Sequence, residues 1–147
     1  MQKDQEQLEK LRSGIDVLIR VLKITDSTLL PDGRTNLNVS DAHTLAFIAA
    51  HEGCIASEIG KHLDVSATTV SSIINRLVDH ELVRRGRTDN NRRVVFLYTT
   101  ESGAQAASEI IAEQRRHCQQ ILEALPQAEQ VNFIKNVSTI ANTFQKG

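Results

Sequence analysis

Three observations predict a mainly α-helical fold with one small β-hairpin for this chain of 147 residues. Apolar residues recur at steps of three and four along most of the sequence, the spacing of amphipathic helices. β-branched and aromatic residues concentrate in one stretch, Val94-Val95-Phe96-Leu97-Tyr98. With four Phe, one Tyr and no Trp, the core must rest on Leu, Ile, Val and Ala, which suits packed helices better than a sandwich of sheets.

Residues 1–30 carry Leu8, Leu11, Ile15, Leu18 and Leu22 on one seam, with Lys10, Arg12, Asp16, Arg20 and Lys23 between them. This predicts a long amphipathic helix that stops in the turn Pro31-Asp32-Gly33-Arg34. A second helix is expected to start at Ser40, whose hydroxyl can cap free amides, to pass through Leu45, Ile48 and Ala49, and to end at Gly53. Residues 56–63 read as a two-turn helix, Asp64-Val65-Ser66 as a tight turn and residues 67–80 as a helix capped by Ser66. Residues 82–87 and 92–99 read as two strands around the tip Thr88-Asp89-Asn90-Asn91, with Cys54 in a further short strand. Residues 100–125 form a helix with the stripe Ala107, Ile110, Ile111, Cys118, Ile121 and Leu122, closed by Pro126. A last helix over residues 128–144 shows Val131, Ile134, Val137, Ala141 and Phe144.

Composition removes several classes. A hydrophobic share of 40% excludes a disordered tail. Two cysteines, Cys54 and Cys118, are too few for a disulfide framework and favour a reducing, cytoplasmic setting, where both are expected to be buried and inert. The longest apolar run, residues 45–50, is far shorter than the roughly 20 residues of a membrane helix, and the N-terminal residues do not read as a secretory signal. No membrane association is therefore expected.

Helix, three-residue turn, helix and basic hairpin is the order of a winged helix-turn-helix. Gly60 is read as the small residue that lets the first helix of the pair approach the second. Asp64 stands where the turn often needs a left-handed conformation, Val65 plugs the corner, and Val70, Ile74 and Leu77 form the buried stripe of the second helix. At 100 degrees per residue, the opposite face holds Thr68, Ser72, Asn75, Arg76 and Asp79, with Ser71 at its edge. Except for Asp79, these are short or forked hydrogen-bonding side chains that reach base edges and phosphates.

The charge distribution supports this. Net charge is -1 overall, but residues 54–100 carry 7 basic and 5 acidic side chains against 6 and 8 in residues 1–53 and 4 and 5 in residues 101–147. Arg84, Arg85, Arg87, Arg92 and Arg93 face only Asp89 within the hairpin. A hairpin of arginines beside a polar helix is an electrostatic footprint for phosphates.

The run from Ser40-Asp41-Ala42-His43 resembles the multiple-antibiotic-resistance regulator (MarR) family. So do Ala56-Ser57-Glu58-Ile59-Gly60 through Ser66, Thr69-Val70-Ser71 through Asn75-Arg76-Leu77-Val78, Leu82-Val83-Arg84-Arg85, Asn91-Arg92-Arg93 and Thr99-Thr100-Glu101-Ser102-Gly103. The match spans about residues 40–103. It departs from the family's usual Asp-Arg-Arg at Asn91-Arg92-Arg93, from Gly at Glu81, from Leu at Thr99 and from Ala at Gly60.

The resemblance implies a homodimeric transcriptional regulator, a repressor, in which residues 36–100 bind a pseudo-palindrome of double-stranded DNA and residues 1–35 and 101–147 dimerise. The DNA-contacting set is Thr68, Thr69, Ser71, Ser72, Asn75, Arg76, Arg87, Arg92 and Arg93. The family also implies release by a small phenolic or anionic ligand, with His43 and Phe47 bordering the pocket. No cofactor and no metal site is expected, because adjacent His117 and Cys118 point about 100 degrees apart on a helix. An enzyme is not expected either, since His51 and Cys54 lack a third orienting group. The alternative is a winged-helix protein-protein interaction module using the outward face of Val94, Phe96 and Tyr98.

Overall fold

A computed structural model describes residues 2–22, 28–29 and 36–145. In chain order these form α1 (Gln2–Leu22), β1 (Thr28–Leu29), β2 (Asn36–Leu37), α2 (Val39–Ala50), α3 (Ala56–Leu63), α4 (Ala67–Asp79), β3 (Val83–Thr88), β4 (Asn91–Thr99), α5 (Glu101–Glu123) and α6 (Gln127–Gln145). The mainly helical class with a two-stranded wing is thus the observed one. The chain divides into two compact units, Met1–Ala112 and Glu113–Gly147.

In the first unit the core lies among α2, α3, α4, the hairpin and the start of α5. Leu37, Leu45, Ile48, Ile59, Val70, Ile73, Leu77, Val83 and Leu97 are fully buried. Ile73 joins the expected stripe of α4, widening it to Val70, Ile73, Ile74 and Leu77. β3 and β4 pair antiparallel from Val83↔Thr99 to Gly86↔Phe96 and close at Thr88↔Asn91. Between those last two pairs, Arg87 alone stands opposite residues 92–95, so the hairpin carries an irregularity at its distal half. The short strand expected around Cys54 is a single antiparallel bridge to Leu97.

Several element ends differ from expectation. α2 is capped by Asn38, whose Oδ1 accepts from the Asp41 amide at 2.8 Å, and Ser40 lies inside the helix, its carbonyl accepting from the Thr44 hydroxyl. Asn at the cap satisfies an amide that no preceding turn can reach. α2 ends at Ala50 with His51 as its cap, and Gly53 follows at φ +86°. The first helix is described as far as Leu22, and Thr28–Leu29 pair with Asn36–Leu37 as short strands that the periodicity did not predict. The turn expected at Pro31-Asp32-Gly33-Arg34 lies outside the described residues.

Two non-glycine residues adopt the left-handed conformation, Asp64 (φ 55°) and Glu81 (φ 60°). Each follows a helix with the same closing bond: the Val65 amide donates to the Gly60 carbonyl at 3.1 Å, and the Leu82 amide donates to the Leu77 carbonyl at 2.9 Å. Asp tolerates this conformation, whereas Glu pays a steric cost. Glu81 is held there by the burial of Leu82 and by the Thr100 hydroxyl, which donates to the Glu81 carbonyl at 2.6 Å.

Gly60 is not needed for close approach. A Cβ placed there meets the Val65 carbonyl at 3.4 Å and a Val70 methyl at 3.6 Å, ordinary contact distances. Gly103 is the demanding position. Thr100 caps α5 through the Gly103 amide at 3.0 Å while its own amide donates to the Leu82 carbonyl, so the first turn of α5 is pressed onto Leu82. A Cβ at Gly103 would stand 1.8 Å from that carbonyl oxygen.

In the second unit, the Gln130 side chain donates to the carbonyls of Leu122 and Leu125 at 3.0 and 3.2 Å, closing the bend between α5 and α6. α6 buries no residue: Val131 is 77% and Phe144 82% exposed. In the first unit, α1 likewise exposes Leu8, Leu11, Ile15 and Leu18.

Urea unfolding checks these backbone readings. Gly103→Ala is expected to cost about 2 kcal/mol or more, as overpacking against a fixed carbonyl does. Gly60→Ala is expected to be neutral or stabilising by about 0.5 kcal/mol, and Glu81→Gly to stabilise by about 1 kcal/mol.

Candidate nucleic-acid interface

Burial of Val70, Ile73, Ile74 and Leu77 decides which side of α4 faces outward. Thr68, Thr69, Ser71, Ser72, Asn75, Arg76 and Asp79 are all exposed. The helix is started by Ser66, whose Oγ accepts from the Thr69 amide at 3.2 Å and contacts the Thr69 hydroxyl at 3.0 Å. Thr69 is therefore partly engaged by the cap, while the side chains of Thr68, Ser71 and Ser72 have no hydrogen-bonding partner among the described residues. α3 is started differently, by Glu58 reaching back to the Ile55 amide at 3.2 Å.

Two of the expected contact residues are held by groups that the sequence reading did not pair with them. Arg76 donates through Nη2 to Asp41 Oδ1 at 2.8 Å and through Nε to Asp41 Oδ2 at 3.3 Å. The Asp41 side chain is only 5% exposed and that of Arg76 is 45% exposed. These hydrogen bonds raise the Arg76 pKa above its ordinary value. Arg76 is thus not the freely reaching side chain that its place on the outer face suggested, because a buried carboxylate demands a cationic partner. Asn75 Oδ1 accepts from Arg85 Nη2 of β3, which ties the outer face of α4 to the base of the hairpin.

The five hairpin arginines are all exposed, and among the described residues none forms an ion pair. Arg84 lies over the Tyr98 ring, 4.4 Å from its centroid. Arg87, Thr88, Asp89 and Arg92 line a polar concavity at the distal end. There the Asn91 amide donates to Thr88 Oγ1 at 3.2 Å and Asn91 Oδ1 accepts from the Arg93 amide at 3.2 Å. Asn91 thus shapes the tip with its own side chain where an aspartate is usual. Thr99, at another of the four departures from the family pattern, gives its amide and hydroxyl to the Glu52 carboxylate at 2.8 and 2.5 Å, fixing the root of β4 to the end of α2. Val94, Phe96 and Tyr98 are half-buried.

His43 and Phe47 lie four residues apart on α2, His43 exposed and Phe47 half-buried. The Phe47 ring stacks on His51 at 4.2 Å and tilts against His62 of α3 at 4.7 Å. His51, the cap of α2, contacts the Phe47 carbonyl through Nδ1 at 3.0 Å. Among the described residues no three His, Cys, Asp or Glu side chains gather to hold a metal, and no helix is long and apolar enough to cross a membrane.

The thiols part ways. Cys54 is buried, as expected, and burial, followed by the Glu58 carboxylate, pushes its pKa up to about 11. Cys118 is exposed, against expectation. The buried stripe of α5 ends at Ile110, so Cys118 shares its apolar spacing without sharing the burial.

A buried-stripe helix after a three-residue turn, with an exposed polar face and an arginine hairpin beside it, defines a winged helix-turn-helix transcriptional regulator. Residues 35–94 match the model of the MarR family. The chain is 23% identical over 141 residues to an uncharacterised helix-turn-helix transcriptional regulator, YwhA of Bacillus subtilis, covering 96% of this chain and 99% of that protein. Its fold is similar to Streptococcus pneumoniae FabT in complex with DNA, at 19% identity and a TM-score of 0.74, over 99% of this chain and 97% of that one. It is also similar to wild-type Lactococcus lactis ZitR in complex with DNA, at 20% identity and a TM-score of 0.65, over 93% and 97%. MarR-family members are DNA-binding regulators and not enzymes.

Cys54 gives a pH test. An unfolded cysteine ionises near pH 8.5 and the folded one near about 11, so the folded state binds this proton more tightly. Its stabilisation is complete below pH 8.5 and lost as pH rises to about 11. The stability difference between wild type and Cys54→Ala, measured by urea unfolding, is expected to shrink over that interval, and native Cys54 to resist iodoacetamide at pH 7.5.

Proposed function

We propose that this regulator binds double-stranded DNA as a homodimer. The exposed polar face of α4 enters the major groove and the hairpin arginines follow the flanking phosphates. The observation that carries the reading is the juxtaposition of that face with five exposed arginines around one carboxylate, linked by the Arg85 to Asn75 contact. Thr68, Ser71, Ser72 and Asn75 face base edges in this reading, with Thr69 at the helix start. Arg87, Arg92 and Arg93 meet phosphates or a narrow minor groove. Arg76 acts from its ion pair with Asp41.

Residues 36–100 form the reading domain, and residues 1–35 and 101–147 supply the dimer contacts. The exposed apolar positions of α1 and α6, from Leu8 to Ile19 and from Val131 to Phe144, support a second copy as their cover, since monomeric surfaces rarely leave such stripes to water. Two-fold symmetry then sets half-sites about 10 base pairs apart on a pseudo-palindrome. A dimer seated across a promoter in the cytoplasm represses by occupancy. A phenolic or anionic ligand beside His43 and Phe47 would release it by shifting α2.

A salt-titrated gel shift on the DNA flanking the protein's own gene tests this. Affinity is expected to fall by about 10³ to 10⁵ between 50 and 200 mM salt. Arg92→Ala and Arg93→Ala should each lower the salt slope by about 1, and Asn75→Ala should cost about 1 to 3 kcal/mol on the specific duplex alone. Salt-insensitive or absent binding would favour a winged-helix interaction module, and a monomer by light scattering would contradict the dimer.

A further inference from the structure

Asp41 has no place in a reading face, yet it is attached to one. It occupies the first turn of α2 in phase with the buried Leu45 and Ile48, and its amide is used by Asn38. Its carboxylate is shielded from water and receives two donors of one guanidinium, that of Arg76, 35 residues away on α4. The contact is a side-on fork, Nε and Nη2 against Oδ2 and Oδ1, the geometry that orients an arginine plane as well as pairing its charge. Nη1 has no hydrogen-bonding partner among the described residues. On the same exposed face stand Ser72 and Asn75, and Asn75 is oriented from the other side by Arg85.

We infer that Asp41 is a positioning residue for sequence recognition: it holds the Arg76 guanidinium in one plane, so that its uncommitted edge is offered to DNA at a fixed place. The inference rests on the DNA-binding reading above. A lone arginine on a helix surface samples many rotamers, and the ordering needed to make a forked contact weakens that contact. Here the buried carboxylate has done the ordering in advance. Asp41 also removes one positive charge from the face. Arg76 is thereby a poor generic phosphate binder and a better discriminating one, and the arginines of the hairpin are left to supply the non-specific attraction.

These two roles separate in experiment. The full-length protein would first be used to select duplexes from a randomised pool. Wild type, Asp41→Asn, Arg76→Gln and the double variant would then be compared on the selected duplex and on a scrambled one. Asp41→Asn is expected to keep or raise affinity for scrambled DNA, because a negative charge leaves the face, and to lower the ratio of selected to scrambled affinity about tenfold. The double variant should lose no more of that ratio than Arg76→Gln alone, since Asp41 acts through Arg76.

A DNA-free readout accompanies this. The Arg76 Nε proton, observed by nuclear magnetic resonance, should exchange slowly in wild type and quickly in Asp41→Asn. A parallel loss of affinity for both duplexes would overturn the inference and mark Asp41 as a fold residue only. So would an unchanged ratio with wild-type selection intact, or an Nε proton equally protected in Asp41→Asn. Failure of wild type to select any duplex would instead overturn the DNA-binding reading, and this inference with it.

Discussion

The structure depends on how α4 is buried. Val70, Ile73, Ile74 and Leu77 fill one side of the helix and are all but removed from water, and a helix that has buried one stripe has no freedom left in the direction of its other faces. Thr68, Ser71, Ser72, Asn75 and Arg76 are exposed for that reason. The hairpin depends on the same packing, because Leu82, Val83 and Leu97 belong to the core that α4 completes. The arginines that precede and follow them are carried to their places by these apolar anchors.

Around that core, the chain spends strain and polar contacts on orientation. Left-handed residues stand on both sides of α4, Asp64 before it and Glu81 after it. Each lets a helix end abruptly, so α3, α4 and β3 follow one another with minimal linker. α2 grips α4 and the hairpin at its opposite ends: Asp41 in its first turn holds Arg76 of α4, and Glu52 just past its last turn holds Thr99 of β4. A displacement of α2 is therefore passed on to both, and His43 and Phe47 sit between these grips on the same helix.

What could be read from the sequence followed from local periodicity and turn chemistry. α3 falls on residues 56–63 as expected, and Asp64 and Ser66 take the turn and cap roles that their side chains favour. The paired short strands at Thr28 and Asn36 were hidden because two-residue strands have no period. Asn38 displaced Ser40 as a cap because both residue types suit that role and only the backbone decides between them. The Asp41 to Arg76 pair joins residues 35 positions apart, beyond any local pattern. Its trace was an aspartate in phase with Leu45 and Ile48, a charge on an apolar face that must find a partner. Cys118 misled by sitting on an apolar spacing in a stretch of α5 whose side chains are mostly exposed.

In the proposed function, α4 and the arginine hairpin form the DNA-binding face. The most direct test is a titration of isotope-labelled full-length protein with a selected duplex, following backbone amide signals. Perturbations are expected to concentrate at residues 66–76 and 84–93, with α1 and α6 little affected. Perturbations confined to α1, α6 or the outer half of α5, or none at saturating duplex, would contradict the proposed function.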